Sequence, residues 1–138
     1  MSALVDTSVW VEFLRGTQSA AADYVRHEVG RNLATCEPVM MELLAGLSAG
    51  DRTARVERML LSQTWLRIDP HLDYRGAVDV FHATRATGHA PRGLADCLIA
   101  AIALRAGVEV AHRDTDYEYI AAATGLATID LRERTAAG

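Results

Sequence analysis

The sequence predicts an α/β fold in which a parallel sheet of about four to five short strands is flanked by helices on both faces. Short apolar runs typical of buried strands alternate with longer segments whose apolar residues repeat at helical spacing. Adjacent strand-like runs are not joined by hairpin turns, so we expect helical crossovers between parallel strands. The chain has 138 residues, half of them hydrophobic, which suits a single domain with its own core.

The first half of the chain contains three of the predicted strands. Apolar runs place them at residues 3–5, 33–36 and 65–69, and Pro70 is expected to end the third. Apolar periodicity, N-cap residues and closing glycines identify the helices between them. These helices are expected from a cap at Thr7 or Ser8 to Gly16, and at residues 19–29, 37–46 and 53–62.

The second half of the chain alternates in the same way. A long helix at residues 71–87, with Leu72 facing inward, is followed by a loop of helix-breaking residues at 88–93. The next helix, at 94–106, leads back to the sheet. The last predicted elements are strands at 108–112 and 126–129, with a helix between them that Asp114 caps and that reaches Ala123.

The charge balance and the cysteines limit the possible functions. A formal net charge of −4 argues mildly against a protein that coats nucleic acid by charge alone. All 14 basic residues are Arg, which excludes a lysine-dependent mechanism and suits bidentate phosphate contacts. Cys36 and Cys97 lack zinc-site spacing, and no secretory signal or membrane-spanning run is apparent. We therefore expect buried free thiols in a cytoplasmic protein.

One carboxylate stands out within the most apolar segment. Every residue from Leu94 to Ala106 is apolar except Asp96 and Arg105. A helix that is apolar on nearly all sides is buried, and a carboxylate there is costly unless it is paired, protonated or bound to a cation. Asp96 also fits the first turn of a helix, where the helix dipole favours an anion.

Further acids are expected at the edge of the sheet where the Asp96 helix begins. Asp6 follows the first strand, Asp114 and Asp116 follow the fourth, and Glu42 lies within an apolar helix. Open parallel sheets bind ligands beyond the carboxyl ends of their strands. Each acid alone also fits a helix cap or a solvent-facing position. Together they would repel one another, and a divalent cation with oxygen ligands, Mg²⁺ or Mn²⁺, would remove that repulsion.

Four short acidic segments occur in an order and spacing that resemble one protein family. They are Leu4-Val-Asp6-Thr-Ser-Val-Trp10, the helix of Glu42, Asp96-Cys-Leu-Ile-Ala-Ala101 and His112-Arg-Asp114-Thr-Asp116-Tyr117. The family is the PIN domain, and the chain most resembles the VapC toxins of bacterial toxin–antitoxin pairs. The resemblance covers nearly the whole chain. It implies a single PIN-like domain at residues 1–134 followed by a disordered tail at 135–138.

The resemblance implies a metal-dependent endoribonuclease that cleaves structured RNA, either tRNA or rRNA, and so inhibits translation. It assigns catalytic roles to Asp6, Glu42, Asp96 and Asp114. It assigns metal ligation to Asp6, Asp96, Asp114 and Asp116, and leaves open whether Asp114 or Asp116 binds the ion directly. Mg²⁺ is the implied cofactor and Mn²⁺ a possible substitute. Carboxylate-held Mg²⁺ would make an attacking water nucleophilic and offset the negative charge on the phosphate.

Lesser roles are expected for other residues near these motifs. Ser8 would orient a metal ligand or a phosphate, and Arg15, Arg92 and Arg113 would contact the RNA backbone. Helix capping by Ser8 and ordinary surface exposure of the arginines are the alternatives. Tyr117 stands where many relatives have Phe, which implies a packing role that does not touch the metal site.

The resemblance also implies partners. A VapB-type antitoxin would cover the acidic groove, which Trp10, Phe13 and Leu14 would help to form, and the toxin would be a homodimer. Two other functions compete with this interpretation. A phosphoacceptor receiver domain also gathers Asp residues and Mg²⁺, but it normally needs a Lys, which this chain lacks. A PIN-like module that binds RNA or protein without cutting would be expected to have lost an acid.

Overall fold

A computed structural model describes residues 2–48 and 50–133, and the tail predicted at 135–138 lies outside these ranges. The described part of the chain forms five strands and seven helices. The strands are β1 (Ala3–Val5), β2 (Leu33–Thr35), β3 (Thr64–Trp65), β4 (Val110–His112) and β5 (Thr128–Asp130). The helices are α1 (Thr7–Leu14), α2 (Ala20–Glu28), α3 (Glu37–Ala45), α4 (Asp51–Leu61), α5 (Pro70–Ala86), α6 (Leu94–Ala106) and α7 (Thr115–Thr124).

The five strands form one parallel sheet in the order β3-β2-β1-β4-β5. In the centre, Leu4 of β1 pairs with Ala34 on one side and with Val110 on the other. The helices form two packed groups, α1 with α2 and α3, and α5 with α6 and α7. Right-handed crossovers place these groups on opposite faces of the sheet. The predicted α/β class and the parallel sheet of short strands are confirmed.

Helix α6 lies at the centre of the core, as its composition predicts. Ile99 and Ile102 are fully buried. α5 packs along α6 and approaches it closely at Gly76, where an added Cβ would come within 3.2 Å of the Ala101 Cβ. This close packing fixes the direction of α6 and therefore the position of its first turn, which carries Asp96.

Several predicted element boundaries are wrong. The N-cap of α1 is Asp6 rather than Thr7 or Ser8, because the Asp6 carboxylate accepts the N–H of Ser8. Pro70 does not end a strand but begins α5, where a proline is tolerated because the first helical N–H has no intrahelical partner. β3 has only two residues and is followed by irregular chain at 66–69, and β4 and β5 each begin two residues later than predicted.

The inward face of α5 contains an ion pair between a buried carboxylate and an exposed arginine, which the sequence did not reveal. Arg105 of α6 donates from Nε and a terminal nitrogen to the two carboxylate oxygens of Asp73, at 2.7 and 2.8 Å. The backbone N–H of Asp69 donates to the same carboxylate at 2.7 Å. Burial raises the pKa of Asp73, but these hydrogen bonds outweigh it and leave the pKa lowered. Leu72, which was predicted to face inward, is 56% exposed instead.

The state of the two cysteines agrees with the expectation from the sequence. Cys36 and Cys97 are buried free thiols. Burial raises the pKa of Cys36 to about 12 and that of Cys97 to about 11, so both remain protonated near neutral pH. In the described ranges, none of the helices has the length and apolar character needed to cross a bilayer.

Candidate active site

The predicted acids converge where the strand order reverses. β1 and β4 are neighbours, and the chain continues from them toward opposite ends of the sheet. Such a reversal opens a crevice beyond the carboxyl ends of the strands, the usual ligand site of open parallel sheets. Asp6 follows β1, Asp114 caps α7 directly after β4, and Asp96 lies in the first turn of α6. Three separate segments therefore bring carboxylates to one edge.

The Asp6 carboxylate is buried and rigidly held. One oxygen, Oδ2, accepts the backbone N–H of Ser8 at 3.1 Å and the Ser8 hydroxyl at 2.5 Å. The other, Oδ1, accepts the hydroxyl of Tyr117 at 2.7 Å. Ser8 thus both lies in the first turn of α1 and orients the carboxylate of a candidate metal ligand.

Tyr117 connects two of the acids, which the sequence did not predict. Its side chain is fully buried, and its hydroxyl also lies 3.4 Å from Oδ1 of Asp96. Burial and the nearby charges of Asp6 and Asp96 raise the pKa of Tyr117 well above its ordinary value, so the phenol stays neutral and remains a donor. The expectation that this aromatic residue packs without touching the site is wrong, because the hydroxyl belongs to the site.

The carboxyl of Asp96 binds its proton unusually tightly. Burial is the main cause, and the surrounding charges of Asp6, Asp114, Glu42 and Asp116 add to it, so the pKa of Asp96 is raised to about 7. Like charges crowded into a half-buried site favour a bound proton or a bound cation. The acids therefore form one electrostatic unit rather than independent surface charges.

Asp114 and Asp116 share a single arginine. Asp114 Oδ1 accepts the backbone N–H of Asp116 at 2.9 Å and a terminal nitrogen of Arg92 at 2.7 Å. Asp116 Oδ2 accepts the backbone N–H and the Nε of Arg92, at 3.0 and 3.3 Å. Arg92 lies in the loop between α5 and α6, and its side chain is 75% exposed. Its guanidinium thus already pairs with two of the carboxylates that could bind a cation.

Three of the acids are close enough to share a divalent ion. Carboxylate oxygens of Asp96, Asp114 and Asp116 all lie within 4.8 Å of one another. Oxygen-only donors with several negative charges suit Mg²⁺ and Mn²⁺. Asp6 lies next to this group through the shared Tyr117 hydroxyl. The donor set and the crowding of negative charge therefore fit a divalent metal site.

Glu42 and Arg15 border the acidic edge on the α1–α3 side. Glu42 is exposed, and its Oε1 accepts the hydroxyl of Thr7 at 3.0 Å. Both residues line a groove of about 260 Å³ whose other walls include Leu14 and Arg52. Glu42 is therefore a rim residue that faces solvent and not a buried acid.

Arg113 and its neighbour His112 have partners within the protein. Arg113 forms an ion pair with Glu12 at 3.0 Å. His112 is fully buried, accepts the backbone N–H of Asp114 at Nδ1 and is bonded to Glu118 at Nε2, at 3.0 and 2.7 Å. Both ring nitrogens are thus engaged. His112 is therefore a buried residue held by hydrogen bonds on both sides of its ring.

Comparisons with known proteins identify the family. A family model of the PIN domain matches residues 3–123. Ribonuclease VapC11 of Mycobacterium tuberculosis is 39% identical over 132 residues, which cover 94% of this chain and 98% of the relative. The chain belongs to the VapC ribonucleases of the PIN-domain family. The family expected from the acidic motifs is confirmed.

Solved structures of lower identity share the VapC fold. A toxin–antitoxin complex from Klebsiella pneumoniae has a TM-score of 0.74 at 19% identity, covering 96% of this chain and 100% of that chain. A DNA-bound VapBC complex from Salmonella typhimurium has a TM-score of 0.72 at 18% identity, covering 95% and 98%. PIN-domain nucleases generally depend on divalent metals, and the acidic cluster provides oxygen donors for one.

In the metal-free protein, we expect stability to fall as the pH rises from about 4 to about 7. The folded state raises the Asp96 pKa to about 7, compared with about 3.9 in an unfolded chain, so folding is favoured while this proton is bound. The full shift would correspond to about 4 kcal/mol, and because Asp96 is partly exposed to solvent we expect about 1–2 kcal/mol. Thermal unfolding in EDTA at pH 5 and pH 8 measures the loss.

The Asp96→Asn variant should lack this loss and should have a higher Tm than the wild type at pH 8 without metal. Asp79→Asn, which removes an exposed acid from α5, is the matched control and should keep the wild-type pH dependence. The same pH dependence in the wild type and in Asp96→Asn would show that Asp96 is not the group that titrates.

Replacing Arg92 with glutamine should tighten Mn²⁺ binding by up to about fivefold, because the guanidinium no longer competes for the oxygens of Asp114 and Asp116. Isothermal titration of the variant and the wild type with Mn²⁺ measures the change. Arg75→Gln, which removes an exposed arginine from α5, should leave the affinity unchanged. Weaker Mn²⁺ binding in Arg92→Gln would mean that Arg92 supports the site instead of competing with the ion.

Proposed function

We propose that the protein is the endoribonuclease toxin of a toxin–antitoxin pair and that it hydrolyses structured RNA, tRNA or rRNA, with Mg²⁺ as its cofactor. The observation that carries the proposal is the convergence of Asp6, Asp96, Asp114 and Asp116 on one edge of a PIN-domain sheet. The near full-length similarity to a VapC ribonuclease supports the same activity.

In this proposal the chain contributes a preorganised set of oxygen ligands. Asp96, Asp114 and Asp116 would hold the ion, and either Asp114 or Asp116 could be its direct ligand. Asp6, fixed by Ser8 and Tyr117, would complete the set. A bound Mg²⁺, or Mn²⁺ in its place, lowers the pKa of the attacking water and offsets charge on the phosphate.

Other residues would position the RNA and the reacting phosphate. Glu42, at the solvent-facing rim beside Thr7, would act as the fourth catalytic acid from outside the ion's immediate shell. Arg15 and Arg92 are exposed on opposite sides of the acidic edge and would contact RNA phosphates. Arg113 would contribute a further positive charge, but its pairing with Glu12 makes it the weakest of the three.

The proposed partners are a VapB-type antitoxin and a second copy of the chain. The groove beside Glu42 and Arg15 is partly apolar and would accept an antitoxin segment. Phe13 and Leu14 are partly exposed on α1 and could contribute to this surface, whereas Trp10 is fully buried and belongs to the core. The similar Klebsiella and Salmonella proteins were solved as toxin–antitoxin complexes, which supports the first partner.

A cleavage assay with the purified protein tests the function. We expect cleavage of tRNA or rRNA in the presence of Mg²⁺ or Mn²⁺, and none in EDTA. Sequencing of RNA ends after induction in cells would identify the sites that are cut. Binding of RNA without cleavage in either metal, by protein with a cooperative unfolding transition, would overturn the proposal and favour the non-cleaving PIN-like module.

A further inference from the structure

Two exposed aromatic rings form a parallel stack beside the acidic site. The imidazole of His89 lies on the ring of Tyr119, with centroids 3.9 Å apart and an interplanar angle of 3°. His89 belongs to the loop between α5 and α6, and Tyr119 belongs to α7. Both side chains are exposed to solvent. The pair is therefore a surface feature and does not belong to the hydrophobic core.

Each ring of the stack belongs to a chain segment that also carries a residue of the acidic site. The loop that carries His89 also carries Arg92, whose guanidinium contacts Asp114 and Asp116. Tyr119 follows Asp116 by three residues on α7, which corresponds to about 4.5 Å along the helix axis and to the same side of the helix. Tyr119 therefore lies within about one helical turn of Asp116, and Glu42 lies on the α3 side of the acidic edge.

Exposed aromatic faces of this kind bind unpaired nucleobases. Sequence-specific recognition of RNA mostly targets loops and single strands, whose bases can stack on the rings of aromatic residues and histidine. A ring that already rests on a second ring is held in a fixed plane, so little freedom is lost when a base is added to its outer face. Positive charge beside such a ring, here from Arg92, suits the adjoining phosphate.

We propose that His89, supported by Tyr119, is a stacking platform for one unpaired nucleobase next to the phosphate that is cleaved. The proposal rests on the ribonuclease function proposed above and extends it to the contact that selects the substrate. A base held by the platform must be splayed out of a helix, so an RNA loop is favoured over a continuous duplex. The platform binds and orients the RNA, and the metal site remains separate from it.

Steady-state cleavage kinetics distinguish base stacking by His89 and Tyr119 from a purely structural role of the two rings. We expect His89→Ala and Tyr119→Ala to raise KM by about 5- to 100-fold, with kcat within about twofold of wild type and with unchanged Mn²⁺ affinity. His89→Phe keeps a ring and should restore a KM near that of the wild type. His71→Ala, an exposed histidine at the opposite end of α5, is the matched control.

Two kinetic results would overturn the proposal. Unchanged KM in both alanine variants would mean that no base uses the rings. A joint loss of kcat and Mn²⁺ affinity would mean that the stack only braces the loop that carries Arg92.

A spectroscopic measurement tests the platform independently of cleavage. RNA hairpins with 2-aminopurine at successive loop positions would be added to the wild-type protein in EDTA, because 2-aminopurine fluorescence is quenched when the base stacks. We expect quenching at one loop position that is lost in His89→Ala and retained in His89→Phe. If the protein binds the hairpins but the 2-aminopurine fluorescence is quenched at no loop position, the stacking proposal is wrong. If quenching occurs but no metal supports RNA cleavage, base stacking by His89 is supported and the proposed nuclease function is wrong.

Discussion

Replacing Asp96 with asparagine is expected to lower kcat for RNA cleavage by about 10³-fold or more. Asp96 lies among the other acids, and their charges together with burial raise its pKa to about 7. Asparagine keeps the shape of the side chain but removes the negative charge that a divalent ion requires. A 10³-fold decrease in rate corresponds to about 4 kcal/mol, which is the size expected when charge stabilisation of the transition state by the metal is lost.

The measurement is single-turnover cleavage of RNA with saturating Mg²⁺, compared between Asp96→Asn and the wild type. Asp79→Asn is the matched control because it removes an exposed acid on α5 that is paired with Arg75. Its rate should equal that of the wild type. An undiminished rate in Asp96→Asn would exclude the proposed site.

Replacing Asp73 with alanine is expected to lower the free energy of unfolding by about 2 kcal/mol. Asp73 is buried, accepts two hydrogen bonds from Arg105 and one from the Asp69 N–H, and joins α5 to the helix that carries Asp96. Alanine removes the two charge-assisted hydrogen bonds from Arg105 and leaves the Asp69 N–H without its acceptor, whereas the Arg105 side chain, which is 38% exposed, can be hydrated. Urea unfolding at pH 7 measures the loss.

The pH dependence gives a second test of the Asp73 pair. The pKa of Asp73 is lowered in the folded protein, so the stability from the pair is present at neutral pH and is lost as the pH falls below the unfolded value of about 4. The Asp73→Ala variant should lose less stability on acidification than the wild type. Loss of stability in Asp73→Ala no greater than in Asp79→Asn would show that the ion pair contributes little.

The sequence was most informative where one physical effect dominated. The apolar run around Asp96 predicted a buried helix, because a helix that is apolar on nearly all sides is unfavourable at the surface. The acids at the strand ends were brought to one edge by the parallel topology, which follows from the alternation of strands and helices. Asp6, Asp96, Asp114 and Asp116 could therefore be predicted to lie at one edge from their positions next to the strands, and the structure places them together.

What the sequence did not reveal depends on side-chain directions and on contacts between distant segments. Tyr117 and Asp6 are 111 residues apart, and nothing local indicates that the phenol hydroxyl points at the acids. Glu42 follows Met41, which is itself 66% exposed. The apolar neighbour in the sequence was therefore no sign that Glu42 is buried. Arg92 was predicted to face RNA, but its closeness to two carboxylates emerges only when the loop is folded.

Binding of Mn²⁺ tests most directly whether the acids at the β1–β4 edge form a metal site. Titration followed by electron paramagnetic resonance at pH 8, without RNA, would compare the wild type, Asp96→Asn and the control Asp79→Asn. We predict that the wild type and Asp79→Asn bind Mn²⁺ with equal affinity and that Asp96→Asn binds it at least about tenfold more weakly. Equal affinity in all three proteins would contradict the assignment of this edge as the metal site.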